Sequence, residues 1–287
     1  MEGTTINDLL RHYRGALLQA HGGDEARAIL RLVFRDKLDQ PFPEMEPQRR
    51  LSPEEERALR TTLDRVVTGE PVQYALGTTV FRGLRIAVDP RVLIPRPETE
   101  ELVEHIVRSV APPDRIFDVG TGSGCIALAL KEAFPGAVVT GIDISADALD
   151  LARRNAAANG LSVEWRQMDA LADDLGTAWQ GPGPQGRTLV VSNPPYVPLA
   201  DKTAMAPAVV DHEPHLALFV ADDDPQRFFR AIATAAFPAL RPGDELWFEA
   251  HFRHAPRTAE MLRGMGFPRV LCLHDISGNP RFIQARR

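Results

Sequence analysis

Two short runs bring together residue types that can do chemistry. The first is Asp118-Val119-Gly120-Thr121-Gly122-Ser123-Gly124, preceded by Ile116-Phe117 and followed by Cys125-Ile126-Ala127. It reads as a strand, a glycine turn and a helix start. Glycine lacks Cβ, so a ligand can lie against the backbone, and N–H groups at a helix start favour an anionic group such as a carboxylate. The second is Val190-Val191-Ser192-Asn193-Pro194-Pro195-Tyr196, again closing an apolar strand. Two consecutive prolines stiffen the chain and carry no N–H, while their carbonyls stay free to accept. Asn193 adds a side-chain oxygen, so two fixed acceptors can hold both hydrogens of an NH2 group. Tyr196 offers a flat face for stacking.

Such an arrangement suits methyl transfer to a planar nitrogen. An amide nitrogen is a poor nucleophile because its lone pair is delocalised, as the rotation barrier of ~18–20 kcal/mol measures. Gripping both hydrogens between Asn193 and Pro194 lets the nitrogen pyramidalise, so positioning replaces a strong base. The glycine loop narrows the methyl donor. Asp143 ends the next strand, where a carboxylate can accept both hydroxyls of a ribose. The dinucleotide fingerprint G-x-G-x-x-G is not met, because the third glycine comes one place early. No Lys-Ser/Thr pair closes a phosphate loop. An adenosine with an amino-acid tail, S-adenosylmethionine, fits better. Asp118 would meet its amino group, and Asp169, after the third strand, its adenine.

The elements that must hold these runs are legible from periodicity. Ile6, Leu9, Leu10, Tyr13 and Leu17, then Ala28, Ile29, Leu32 and Val33, follow one helical face. Ser52-Pro53-Glu54-Glu55 starts a further helix. Residues 1–75 are thus an all-α module, with a proline-rich loop at Gln40–Pro47. Val72–Pro95 reads as a β-hairpin connector, placed at 76–97 as a segment, and Glu98–Val110 as a helix. Residues 98–287 form the third segment. Its strands are expected at Arg115–Gly120, Val138–Asp143, Val163–Asp169, Thr188–Asn193, Asp244–Glu249, Arg269–Asp275 and Arg281–Ala285, with helices at Ser123–Phe134, Ala146–Asn159, Pro225–Leu240 and Pro256–Met265. Short apolar strands alternating with helices mean an α/β fold with a parallel sheet, and the last two strands form a hairpin. Val197–Ala221 reads as a lid near the substrate, and Gly181–Gly186 as a surface loop.

Composition excludes several classes. The chain has 287 residues, 44% of them apolar, enough for a core without staples. Its longest uncharged apolar run, Cys125–Leu130, is far short of the roughly 18 residues that span a bilayer. The N-terminus shows no signal-peptide pattern, and two cysteines suggest neither a zinc cluster nor a disulfide framework. A cytoplasmic monomer without direct nucleic-acid or membrane contact is expected. The net charge of −6 speaks mildly against nucleic acid, whose binders usually carry a basic surplus.

The whole pattern resembles the class I S-adenosylmethionine-dependent methyltransferases of the Asn-Pro-Pro-Tyr type, with a Rossmann-like seven-stranded sheet. Gly69-Glu70-Pro71-Val72-Gln73-Tyr74, Val92–Glu100 with its Arg96-Pro97-Glu98-Thr99, and Asp275-Ile276-Ser277-Gly278-Asn279-Pro280-Arg281-Phe282 are similar to the release factor glutamine methyltransferases. Those enzymes methylate the glutamine amide of the Gly-Gly-Gln motif in peptide chain release factors. The resemblance implies that the helical module helps dock the protein substrate. It also implies that Asn193, Pro194, Pro195 and Tyr196 hold the glutamine, with Asn193, Pro194 and Tyr196 catalytic. The expected cofactor contacts are Asp118, Gly120, Thr121, Gly122, Ser123, Gly124, Asp143, Ile144, Asp169, Ala170 and Asn193. Two departures stand out. Ala170 replaces a bulky residue over adenine, which thins that contact, and Glu249-Ala250-His251-Phe252 replaces a glutamate-x-glycine run. Competing readings are a ribosomal-protein glutamine methyltransferase, a nucleic-acid amino-group methyltransferase acting on a flipped base, and a non-catalytic cofactor-binding module. His212/His215 and His251/His254 have H-x-x-H spacing but no further ligands, so no metal is expected.

Overall fold

The computed structural model describes residues 3–40, 46–179 and 186–287. The loops expected at Gln40–Pro47 and Gly181–Gly186 fall largely outside the described residues. Two compact units emerge, Met1–Thr78 with Ala206–His212, and Thr79–Met205 with Glu213–Arg287.

In the first unit, α1 (Ile6–His21), α2 (Gly23–Leu38) and α3 (Pro53–Val67) pack around Leu9, Leu17, Val33, Phe34, Leu59, Leu63 and Val66. Helix α1 buries Ile6, Leu9, Tyr13 and Leu17 as expected, whereas α2 turns Ala26, Ile29, Leu30, Val33 and Phe34 inward and leaves the expected Ala28 exposed. Capping boxes at Thr5/Asp8 and Ser52/Glu55 satisfy the first-turn N–H groups of α1 and α3. The start of the expected hairpin connector is instead a short helix, α4 (Val72–Leu76). Pro71 precedes it and Gly77 ends it in the left-handed conformation, a helix-stop signal that the apolar residues of this stretch mask. The hairpin itself is shorter than expected, β1 (Thr78–Phe81) and β2 (Leu84–Ala87).

The second unit is a seven-stranded sheet. Along the chain come α5 (Pro97–Ser109), β3 (Arg115–Val119), α6 (Cys125–Ala133), β4 (Val138–Asp143), α7 (Ala146–Ala158), β5 (Glu164–Gln167), α8 (Gly176–Trp179) and β6 (Thr188–Ser192). The stretch expected as a lid holds β7 (Val197–Pro198), a 3-10 turn at Leu199–Ala204, α9 (Pro207–His212, in the first unit), α10 (His215–Leu218) and β8 (Phe219–Val220). Then follow α11 (Arg227–Ala239), β9 (Glu245–Glu249), α12 (Ala255–Gly264), β10 (Arg269–His274) and β11 (Pro280–Arg286). The sheet order is β10-β11-β9-β6-β3-β4-β5, parallel except for the antiparallel pairings of β11. This is the seven-stranded α/β class expected from the sequence.

Strands β6 and β9 are buried along their whole length, as parallel strands covered on both faces must be. Helices α8, α11 and α12 share one core with Phe117, Val119, Val190, Leu246 and Phe248, while α6 and α7 pack against β3, β4 and β5. The strand order turns at β3: the chain goes to β4 and β5 on one side, then returns to place β6 on the other. Ligands bind at the carboxyl ends of strands beside such a reversal. The register puts Val119 beside both Ile142 and Ser192. The loops after β3, β4 and β6 therefore open at one edge.

Candidate active site

A cavity of about 460 Å³ lies at that edge. Drug- and cofactor-sized ligands occupy volumes of this order. Gly120, Thr121, Gly122, Ser123, Asp143, Ile144, Asp169, Ala170, Asn193, Pro194 and Pro195 all line it.

The glycine loop keeps its shape through backbone conformation and two carboxylates. Gly120, Gly122 and Gly124 have φ of 76°, 53° and 81°, a region that side chains resist. The N–H groups of Gly120 and Thr121 both donate to the Ile142 carbonyl. Gly122 N–H donates to Asp143 Oδ2 (2.8 Å) and Ser145 N–H to Asp143 Oδ1 (2.9 Å), so one carboxylate ties the loop to the end of β4. Each Asp143 oxygen keeps a further lone pair for a hydroxyl. Burial raises the Asp143 carboxyl, against these backbone donors.

Asp118 stands elsewhere than expected. It is fully buried and does not line the cavity. Its Oδ2 accepts from Thr121 Oγ1 (2.6 Å) and from Ala127 N–H (3.1 Å), joining the loop to α6, while Oδ1 has no partner. Burial pushes its carboxyl up to about 7. The side chain of residue 118 reaches from β3 to the start of α6, so in this structure it braces the loop.

Trp165 is a support that spacing alone did not show. It is the β5 residue paired with Gly141 of β4, and its ring fills the space where Cβ atoms of Gly141 and Gly124 would lie.

On the β6 side, Asn193 Nδ2 donates to Thr99 Oγ1 (3.2 Å), and Thr99 Oγ1 donates to Glu249 Oε2 (2.7 Å). Thr99 sits in the first turn of α5 and Glu249 ends β9; both are buried. With its NH2 engaged, the carboxamide keeps its oxygen as a free acceptor. Pro194 and Pro195 line the cavity beside it without an N–H to offer. Tyr196 departs from the expectation. It does not line the cavity; it is half-buried against the core, its ring 6.1 Å from that of His251. Burial, reinforced by the nearby charge of Glu249, pushes its phenol up. The bend after Pro195 carries residue 196 behind the loop, so a stacking platform is not formed by this residue here.

The rim contains a further tie. Glu213 is buried and accepts from Ile94 N–H (3.2 Å) and Arg96 Nη2 (2.5 Å). It anchors Pro214–Ala221, which forms one wall, to the extended Ile94–Arg96, which forms another. The apolar residues Met168, Leu171 and Leu216 complete the lining. Of the two departures noted in the sequence, Ala170 lies on the cavity, whereas Ala250 and His251 do not. The His251 and His254 rings lie 5.7 Å apart, and no group of three metal-ligating side chains occurs among the described residues.

Comparison with known proteins matches one family model within each unit. The methyltransferase-domain family matches residues 116–180, and the PrmC N-terminal domain family matches residues 8–77. A release factor glutamine methyltransferase of Bacteroides thetaiotaomicron is 38% identical over 286 residues, 98% of this chain and 100% of that one. The chain belongs to the release factor glutamine methyltransferase family. A member of this family from Chlorobaculum tepidum is 41% identical, over 80% of this chain and 79% of its own. Among solved structures, a methyltransferase from Pyrococcus furiosus superposes with a TM-score of 0.51 at 15% identity, covering 80% of this chain and 98% of that one. This last likeness is one of fold. The family resemblance expected from Arg96–Thr99 and Asp275–Phe282 is thus confirmed across the full length.

Proposed function

We propose that this chain transfers the methyl group of S-adenosylmethionine to the side-chain amide nitrogen of a glutamine in a peptide chain release factor, the glutamine of the Gly-Gly-Gln motif. The observation that carries the reading is the Asn193 carboxamide at the cavity edge: Thr99 Oγ1 holds its NH2, which leaves its oxygen to accept, beside Pro194 and Pro195, which have no N–H to offer.

The residues present fit the cofactor. Asp143 offers spare lone pairs to a ribose. Met168, Ala170 and Leu171, with Ile144 42% exposed beside Asp143, offer apolar surface to an adenine. In the first turn of α6 Gly124 supplies no side-chain cap and Asp118 takes the Ala127 N–H, which leaves the N–H groups of Cys125 and Ile126 to suit a carboxylate. When bound, S-adenosylmethionine supplies an electrophilic methyl group on a sulfonium sulfur.

The protein's part is binding and orientation. Asn193 Oδ1 and the Pro194 carbonyl each accept one hydrogen of the incoming NH2. Held so, the nitrogen directs its lone pair out of the amide plane. That pair would take up the methyl group as the sulfonium becomes a neutral thioether, and the displaced amide proton would pass to solvent. The apolar walls exclude water, which strengthens both hydrogen bonds. The test is co-expression with a release factor followed by peptide mass mapping. A single methyl on the motif's glutamine is expected; label confined to RNA or DNA, or to a ribosomal protein, overturns the reading.

A further inference from the structure

The Asn193–Thr99–Glu249 chain does more than satisfy buried groups. A threonine hydroxyl has one proton. At 2.7 Å that proton goes to the Glu249 carboxylate, which can only accept. Thr99 Oγ1 is then left only lone pairs for Asn193, and it takes an N–H from the carboxamide. A carboxamide is nearly symmetric in shape, and turned over it would offer NH2 to an incoming NH2.

We propose that Glu249, acting through Thr99, is a positioning residue that locks the Asn193 carboxamide with its oxygen toward the substrate nitrogen. The inference rests on the role given to Asn193 above and deepens it. It places polarity control on α5 and β9, 94 and 150 positions apart along the chain from the groups they orient. The surroundings of Glu249 fit the task. Thr99 hydrogen-bonds it from α5, and the titratable groups close enough to interact with its charge are Glu98 on α5, Arg96 before α5, Arg281 on β11, Tyr196 after β6 and Cys125 on α6. Burial pushes its carboxyl up to about 7, against the pull of Thr99, Arg281 and Arg96. When protonated, it can donate to Thr99 and reverse the chain, so the lock weakens on the acid side of neutrality.

The experiment compares wild type with Thr99→Val, Thr99→Ser and Glu249→Gln in the full-length protein. Turnover at saturating cofactor and release factor should fall about tenfold in Thr99→Val, the value of one hydrogen bond. It should recover to within about twofold in Thr99→Ser, with cofactor affinity and melting temperature held. Glu249→Gln, whose amide can donate or accept, should lower turnover and remove the acid limb of the pH profile near 7. Independently of turnover, the Asn193 side-chain NH2, assigned by NMR, should show slowed hydrogen exchange in wild type and Thr99→Ser and lose it in Thr99→Val. Wild-type turnover in both Thr99→Val and Glu249→Gln, or unchanged exchange protection in Thr99→Val, overturns the inference. So does loss of cofactor affinity and stability in parallel with activity in all three variants. If wild type methylates no release factor, the functional reading fails, and the exchange result still decides the lock.

Discussion

Gly141→Ala is a sensitive probe of how the cofactor loop is supported. Gly141 has no left-handed backbone, so its requirement is space alone. A Cβ there would lie 2.4 Å and 2.6 Å from Cζ3 and Cε3 of Trp165 and 3.0 Å from Thr121 Oγ1. Ordinary contact begins at 3.4 Å, so the indole must retreat by about 1 Å. Retreat is limited, because the ring also fills the space beside Gly124, where a Cβ would lie 2.9 Å from its Cη2. Overpacking of this kind costs roughly 1–3 kcal/mol, and replacing a strand glycine returns roughly 0.5–1 kcal/mol. The net loss should be about 1–2 kcal/mol, or about 2–4 °C in melting temperature for a protein of this size.

The loop should feel it too. Thr121 Oγ1 is the nearest polar atom and donates to Asp118 at 2.6 Å, so cofactor affinity should fall roughly threefold to tenfold with the loss of one hydrogen bond's worth of order. Trp165→Leu opens the space at its own cost of about 2–3 kcal/mol. The double variant should therefore be more stable than the sum of the two losses predicts, by more than about 1 kcal/mol. Urea unfolding and titration calorimetry measure these quantities. Wild-type stability in Gly141→Ala, or strict additivity in the double variant, would refute the packing argument.

Asn193→Ala should lower turnover by ~10²–10³, the effect of losing one transition-state hydrogen-bond group, with cofactor affinity within about twofold by calorimetry. Asp143→Ala should show the opposite emphasis, weakening cofactor binding at least about tenfold, because the loop tie through Gly122 and the ribose acceptor go together. The Asp118 carboxyl, pushed by burial well above the usual carboxylate range to about 7, contributes stability that is fully present below the unfolded chain's pKa and is lost as pH rises through 7. Wild type should therefore gain stability relative to Asp118→Asn when denaturation is compared at pH 8.5 and then pH 6; a constant gap would reject the assignment. Glu213→Ala strands the Ile94 N–H and unpairs Arg96; with Arg96 partly solvated, the expected loss is about 2–3 kcal/mol by urea unfolding, and no loss would show that the wall is not anchored there.

What was legible in the sequence was what lies close along the chain. The glycine turn, Asp143 and Asn-Pro-Pro announce themselves because local backbone rules decide those residues. The sheet was legible because apolar strands and helical faces alternate, and their boundaries moved by only one or two residues at most ends. Thr99, Glu249, Glu213 and Trp165 were not, since each matters through a partner on another element. Thr99 stands in the sequence within Arg96-Pro97-Glu98-Thr99 and Glu249 at the start of an unusual run, yet nothing local joins them. Asp118 and Tyr196 were misplaced for a related reason. Their types suit ligand contact, but which way a strand-end or loop side chain points depends on the pleat and the bend, and both turned inward.

The two buried acids show a common logic. Asp118 accepts the proton of Thr121 and Glu249 accepts that of Thr99, and both threonines line the cavity. In water, a hydroxyl reorients freely between donor and acceptor. Behind each of these hydroxyls stands a carboxylate with no exposed surface to speak of, in a medium where its pull is strong. The proton is thereby drawn away from the site and the lone pairs are left facing neighbours within it. Burying such carboxylates is unfavourable, as the upward push on both acids records. A fold that needed only packing would place apolar residues there. Retaining two acids, each behind a threonine that lines the cavity, makes sense where the direction of hydrogen bonds matters more than their number, and the proposed grip on both hydrogens of one NH2 would impose that demand.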